Sequence, residues 1–442
     1  MNFKITKQGS FFRFWTLFAL LSAVIFVRYG LQINIPRELA LIPIVIIAVF
    51  GNQTEIIAIC FSLIPFHESL DFYYALILVI TVYFFKFYNR IKINASFFLM
   101  LIFLVWELLH CFTADFSPLT FISSLAPLIA LTIIVCSDLS ESDFPFVVRV
   151  ASIAAMVNCI TMLIQIAWIS RFNLLSFMLN LRRLGALSES SMDRLQITGG
   201  IVQTNSLGVI CVIITSALIL LRMSGKGKKS DIFIMLTLLI FGTFTASRTF
   251  LACLSLMIFL LILSRKGAKT KLKYIAIAVL ALLIIFVIFS LFFPDQLEYY
   301  ISRFFVEDIT TGRDDLMVSY NEFITENPFV MFFGVGLQNF GDKLVNQYRI
   351  AGNVPHNSIQ EIVVVWGVEG LLLIIILIFT LIYIAKKRNP SVKLLNYIPL
   401  IIVLFKSVAG QLLTSNYTIL ALGFAYLVMI QNLNNNVINE NQ

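Results

Sequence analysis

LLIIFVIFSLFF (282–293) and SIQEIVVVWGVEGLLLIIILIFTLIYIA (358–385) are apolar runs, and what lies on either side of them decides how the chain is read. The second run is long enough to cross a bilayer as a helix. About 20 apolar residues, rising ~1.5 Å each, cover the ~30 Å of hydrocarbon. Between the two runs lie the 64 residues 294–357, which are polar, aromatic and punctuated by glycine. They carry Arg303, Arg313, Arg349 and His356, and no other stretch stays hydrophilic for as long.

Outward from this loop the sequence is dominated by further apolar runs. The chain has 442 residues, 59% hydrophobic and 13% charged, with a mean hydropathy of +0.93. Soluble domains carry about 25% charged residues. Continuous apolar runs, with no alternation, exclude a β-barrel and predict an all-α polytopic membrane protein of about 12–14 transmembrane helices with one large extracytoplasmic loop. Fourteen candidate spans lie near 14–27, 39–50, 55–66, 72–88, 96–112, 118–136, 144–168, 200–221, 231–246, 249–264, 274–293, 358–385, 395–413 and 416–431. The second and third are short and read as broken or re-entrant. The first ends in Arg28-Tyr29-Gly30 with no small-residue cleavage site, so it reads as an anchor and not a signal peptide. The domain reading is N-terminal helices over 1–199, a core over 200–385 that includes the loop 294–357, C-terminal helices over 386–431, and an Asn-rich cytoplasmic tail over 432–442. Six cysteines fall in or beside apolar runs without a CxxC spacing, so they read as small core residues and not as a metal site or disulfide frame.

Orientation follows from the loops, because cytoplasmic loops are enriched in Lys and Arg. With the N-terminus inside, the inner segments hold Lys4, Lys7, Arg13, Lys86, Arg90, Lys92, Arg222, Lys226, Lys228, Lys229, the 265–273 run and Lys386, Lys387, Arg388, Lys393. The loop 294–357 then lies outside. The +8 net charge reads as this topology signal and not as a nucleic-acid footprint. The cations outside are nearly all Arg, with only Lys343 and Lys406 as exceptions. Arg presents a planar fork of donors suited to phosphate, whereas Lys serves as a hydrated point charge.

Three outer clusters stand out. The first, 169–200, contains Arg182, Arg183 and Arg194 and leads into Asn205 and Gly208, small and amide residues that allow close helix packing. The second is Thr245-Ala246-Ser247-Arg248-Thr249, in which Arg248 lies between two apolar runs with almost no loop. A cation so near hydrocarbon is costly and marks a functional site or a snorkelling side chain. The third is the loop itself. Thr311 can cap an amphipathic helix with Arg313, Asp314 and Asp315 in its first turn and Leu316, Met317, Tyr320, Phe323 and Ile324 as its apolar stripe. Gly334-Val335-Gly336 is a lone GxG with no strand before it and reads as a turn. Pro355-His356-Asn357-Ser358 precedes the long run, with Asn357 or Ser358 as cap and Ser358 with Glu361 in capping-box spacing. His356 therefore sits at a helix N-terminus, which favours anions and a neutral imidazole able to accept a proton. His67 and His110 show no such context and read as packing or surface residues.

These motifs resemble the bacterial O-antigen ligase and O-antigen/capsule polymerase superfamily. The similarity covers about 199–375 and is carried by SRTFLACLSL (247–256), TGRDDLM (311–317), FFGVGLQNF (332–340) and GNVPHNSIQEIVVVWGVEGLL (352–372). Met317 departs from the aromatic expected in many relatives. The resemblance implies a glycosyltransferase using an undecaprenyl-pyrophosphate-linked oligosaccharide in the bacterial inner membrane, with its active site facing the extracytoplasmic side. Direct attack by the acceptor opposite the leaving group predicts an inverting reaction, and the expectation is that it is metal-independent with no cofactor. His356 matches the catalytic position. Arg248 and Arg313 match the pyrophosphate-binding positions, and Arg194 is a looser candidate for the same role. The expected function is a polysaccharide polymerase that joins lipid-linked repeat units for O-antigen, capsule or exopolysaccharide. The alternatives are a ligase that moves the finished glycan to a terminal acceptor, and a transporter or flippase. A flippase and a chain-length regulator are the expected protein partners.

The chemistry suits these residue types. The pyrophosphate leaving group needs its charge neutralised by forked donors. The acceptor hydroxyl needs a general base, a contribution of about 10²–10⁴-fold. No carboxylate pair in the outer loops demands a metal, since Asp314 and Asp315 fall in a helix's first turn. Trp366, Tyr299, Tyr300, Phe304 and Phe305 are placed either to stack on sugars or to sit at the membrane interface.

Overall fold

The computed structural model describes residues 7–68, 70–111, 118–174, 176, 204–245, 247–292, 294, 297–298, 301–302, 313–337, 355–408, 410–415 and 417–432. Among these the chain is α-helical, and its helices run in chain order as follows. They are α1 (Lys7–Ile25), α2 (Leu41–Phe50), α3 (Gln53–Ser62), α4 (Phe72–Phe87), α5 (Ala95–Cys111), α6 (Pro118–Cys136), α7 (Phe144–Ile169) and α8 (Thr204–Met223). Then come α9 (Lys229–Phe244), α10 (Arg248–Leu263), α11 (Ala268–Phe292), α12 (Arg313–Glu326), α13 (Pro328–Phe333), α14 (Ser358–Arg388), α15 (Leu394–Val408) and α16 (Thr418–Met429). Each of the fourteen apolar runs is helical over most of its length. Five described helical stretches are long and apolar enough to cross a membrane: Phe11–Gly30, Phe72–Arg90, Phe144–Trp168, Asn205–Met223 and Ser358–Arg388. The chain is a multi-pass membrane protein.

The two short runs are short for a local reason. Gly51 and Asn52 break the chain between α2 and α3, and Asn52 and Glu55 form a reciprocal capping box that restarts the helix. Just before α2 a 3₁₀ turn, Arg37–Ala40, lengthens the helical stretch.

The loops assigned to one side by their Lys and Arg content meet one another. Arg13 reaches Glu55 at 3.3 Å, Arg90 donates to Gln53 at 2.8 Å and Lys92 pairs with Asp138 at 2.8 Å. Arg388, at the end of α14, donates to the Ser137 carbonyl at 2.9 Å. Arg149 donates to the Lys226 carbonyl at 2.7 Å and pairs with the buried Asp231 at 3.4 Å. This lysine-rich face is one end of the bundle. The N-termini of α10 and α14 are at the other.

Close packing sets the start of α10. The Phe250 ring lies between two glycines on neighbouring helices. A Cβ on Gly208 of α8 would fall 2.7 Å from the Phe250 Cβ, and one on Gly242 of α9 would fall 2.2 Å from its ring. Gly208 thus allows the close approach read from its sequence context, and Phe250 is wholly buried.

The longest helix is broken. Gly367 in α14 takes φ +74°, so the helical bonds above and below it do not connect. The carbonyls freed by the break find new partners. Val335 N–H donates to Val364 O and Gly336 N–H to Val365 O, both at 2.8 Å. The turn after α13 therefore docks backbone to backbone on the break. Gly334, at φ +78°, permits this approach, because a Cβ there would meet the Val365 carbonyl at 2.3 Å. α5 closes the third side. Trp106 Nε1 donates to Trp366 O at 3.2 Å, and Glu107 accepts from Leu337 N–H at 3.0 Å and from Trp366 Nε1 at 2.7 Å. His110 contacts Phe333 O at 2.7 Å and Trp106 O at 2.8 Å.

One expectation changes here. Trp366 was placed at a sugar or at the interface, but it is buried at 1% exposure, tilted against Phe103 at 4.9 Å. Its indole N–H needs an acceptor in an apolar setting, and Glu107 supplies it. Glu107, near a helix end in sequence, is fully buried and serves the helix break. His110 is a packing residue, as expected.

Gly367→Ala tests the break. An added Cβ would sit 1.8 Å from the Phe332 carbonyl, in a backbone conformation costing a non-glycine residue roughly 1–3 kcal/mol before any clash. The expected result is a large loss of monodisperse protein and a lowered Tm in detergent, with Val368→Ala close to wild type.

Candidate functional site

The first turn of α14 joins three other elements. Asn357 is its N-cap, with Oδ1 accepting from Ile359 N–H at 2.8 Å. The capping box anticipated between Ser358 and Glu361 is not formed, because both side chains point to other partners. Ser358 Oγ donates to the Ser407 carbonyl at the end of α15, at 2.6 Å. Gln360 Nε2 donates to Met317 O at 2.9 Å and Asn321 Oδ1 at 2.8 Å, both on α12. Glu361 is fully buried and accepts from three backbone N–H groups of the α15–α16 loop: Leu412 at 2.6 Å, Leu413 at 3.1 Å and Thr414 at 2.8 Å. Successive side chains on one helical turn leave at different angles, so one turn reaches three neighbours.

His356 stands half-buried immediately before this cap, after a buried Pro355. It is one turn ahead of Gln360, and Arg313 is one turn ahead of Met317. One turn is about 5.4 Å along a helix axis, so α12 and α14 both begin within a turn of their contact. Arg313 is the first residue of α12; its side chain, with Thr311, Gly312 and the Asp314 side chain, lies outside the described residues. Arg194 lies outside them too, as do Tyr299, Tyr300, Phe304 and Phe305.

Arg248 is the first residue of α10, half-buried, with only three residues between it and the end of α9. Ser247 caps the helix, accepting from Phe250 N–H at 3.2 Å. The Phe250 notch therefore fixes the backbone two residues from Arg248. α10 packs against α15, and Cys253 of α10 and Glu361 of α14 both lie within electrostatic reach of Lys406 on α15. Arg248 and His356 are each five residues beyond one of these neighbours, toward the end of the bundle away from the lysine-rich face.

The α12 stripe is mostly as read: Tyr320 and Phe323 are buried and Leu316 and Ile324 half-buried. Met317 is the exception at 37% exposure, and it contributes its carbonyl instead. Burial pushes the Tyr320 phenol up to about 12, so it stays neutral at physiological pH. His67 is buried, with its ring 4.7 Å from Tyr417 and Nδ1 2.8 Å from Ile64 O, a packing role. Lys406 and Glu361 were legible only as an outer cation and a cap residue. Their meeting in one cluster comes from the α15–α16 loop folding back over α14, which no local pattern signals.

Gln360→Ala tests the link to α12. It removes two hydrogen bonds from a buried site, each worth about 0.5–1.5 kcal/mol. The expected outcome is faster proteolysis within 313–326, with the Tm lowered only slightly.

No curated protein and no solved structure matches the chain. The family model described as O-Antigen ligase matches residues 232–375, about a third of the chain, from α9 to the middle of α14. That stretch contains Arg248, Arg313, the Gly334–Gly336 turn, His356 and the Gly367 break. The chain carries an O-antigen ligase family domain at residues 232–375, consistent with the wider ligase and polymerase superfamily.

Proposed function

We propose that the protein is a polysaccharide polymerase of the bacterial inner membrane. It transfers a glycan from undecaprenyl pyrophosphate to a sugar hydroxyl of another lipid-linked repeat unit, on the extracytoplasmic side. The observation that carries this reading is the position of His356. It precedes the N-cap of α14, on a turn tied to α12, α15 and the 410–415 loop, with Arg248 at the start of α10 at the same end of the bundle.

In this reading His356 takes the proton from the acceptor hydroxyl, whose oxygen attacks the anomeric carbon opposite the leaving group. The bond to the pyrophosphate oxygen breaks and the anomeric centre inverts. Arg248 and Arg313, with Arg194 as the third candidate, neutralise the charge that develops on the departing pyrophosphate. Helix N-termini pointing at the anion add to this. The reaction needs no metal or cofactor, since the donor is already activated and the arginines supply the positive charge. A flippase delivering the donor and a chain-length regulator are the partner proteins this function requires.

Glycan profiling of a deletion strain complemented with wild type, His356→Ala or Arg313→Ala, at matched membrane expression, tests the proposal. The expected result is single-repeat glycan in the deletion and both mutants, with His356→Ala lowering turnover by about 10²–10⁴-fold. Long polymer held on the lipid carrier would identify a ligase. Normal glycan with His356→Ala would remove the base.

Metal independence has a separate test. Turnover in membranes treated with EDTA is expected to match untreated membranes, and loss restored by magnesium or manganese would overturn it.

A further inference from the structure

Lys406 is a half-buried cation near the proposed site, and the simplest idea would make it another pyrophosphate ligand. Its hydrogen bonds argue otherwise. An ammonium has three donors. Lys406 Nζ reaches Gln411 O at 2.9 Å, Thr418 Oγ1 at 2.9 Å and Ser415 Oγ at 3.4 Å, and lies 5.0 Å from the centre of the Tyr417 ring. Its protons are committed to the protein, to one loop and the helix start that follows it.

Glu361 grips the same loop through its backbone amides. Its carboxylate accepts from the N–H groups of Leu412, Leu413 and Thr414, and from the Thr414 hydroxyl. Residues 411–415 are thus held between a cation on a carbonyl and hydroxyl and an anion on the amides. Charge-assisted hydrogen bonds of this kind are roughly twice as strong as neutral ones. Ser358 adds a bond to Ser407 O, at the end of α15, at 2.6 Å. Glu361 and Ser358 belong to the turn that begins just after His356, so the loop and the end of α15 hold that turn at one point each.

We infer that Glu361 and Lys406 are positioning residues for the proposed transfer: clamped on the 411–415 loop, they fix the first turn of α14 and thereby the direction in which His356 meets the acceptor. The inference rests on the reading of His356 as the base. Neither residue touches the donor. Losing either changes the rate of the chemical step and leaves donor binding alone. Misplacing a reacting group by about 1 Å costs up to ~10²-fold in rate.

The test uses the full chain in lipid nanodiscs, with lipid-linked glycan extracted from the deletion strain as donor. Glu361→Gln places amide N–H groups against backbone N–H groups and is expected to lower kcat by about 10–10²-fold, with the donor KM within about twofold of wild type. Lys406→Met should behave alike, and Lys406→Arg, which keeps the charge and donors, should recover most of the rate. Thr414→Val removes one of the four contacts to Glu361 and keeps the clamp falsifiable if Glu361→Gln does not fold; a few-fold fall in kcat alone is expected. Arg248→Ala, by contrast, should raise the donor KM. Wild-type kcat in Glu361→Gln and Thr414→Val, with His356→Ala inactive, overturns the inference and leaves the proposed base standing. A raised donor KM at unchanged kcat in Lys406→Met makes Lys406 a ligand and also overturns it. Full activity of His356→Ala removes both readings together.

Discussion

A helix broken inside an apolar bundle must satisfy the backbone groups it exposes, and this requirement organises the protein. At Gly367 three carbonyls of α14 lose their helical partners, in surroundings where an unsatisfied backbone group costs several kcal/mol. Val335, Gly336 and the Trp106 indole supply the missing donors. Glu107 then ties both sides of the break together by accepting from Leu337 N–H, next to those donors, and from the Trp366 indole. Glycines at 334 and 367 allow two backbones to touch, since neither position has room for a Cβ. The break separates α14 into a lower part anchored at the lysine-rich face and an upper part free to take its direction from local contacts.

The upper part uses that freedom. Ser358, Gln360 and Glu361 bond to α15, α12 and the 410–415 loop, so the position of His356 is set by neighbours and not by the course of the long helix below. The same economy holds at Arg248. Its helix starts where Phe250 enters a notch between Gly208 and Gly242, and the cation follows from the packing of an apolar ring. In both places the polar residue of interest stands one or two positions outside a rigidly packed one.

The sequence was informative where chemistry is local. Apolar runs of sufficient length specify helices in a bilayer because no alternative satisfies the backbone, so each of the fourteen runs is helical over most of its described residues. Charge counts in the loops divided the two faces, and the inner loops do meet, as Arg13 with Glu55 and Lys92 with Asp138 illustrate. The family resemblance rested on short motifs that the matched domain contains. What could not be read is non-local. Trp366 looked like an interfacial aromatic because nothing in its neighbourhood reveals Glu107, 259 residues away. Glu361 looked like a cap because capping spacing is common, whereas its actual partners are 51 to 53 residues further on. Met317 fits a stripe by periodicity, but the contact with Gln360 turns that side of α12 to a different use.

The clasp around Gly367 also has a place in time. Glu107 and its acceptor role are synthesised early, while Leu337 follows 230 residues later and Trp366 259 residues later. At about 5–20 residues per second, α5 waits roughly 10–50 s before its partners exist. Membrane helices first insert singly and associate afterwards. For this chain the second stage cannot begin at the clasp until α14 has emerged, so α5 must enter the bilayer, or remain beside the insertion machinery, with a carboxyl group that has yet to meet Leu337 and Trp366. Biogenesis of the fold thus depends on where that one acidic side chain is kept in the meantime.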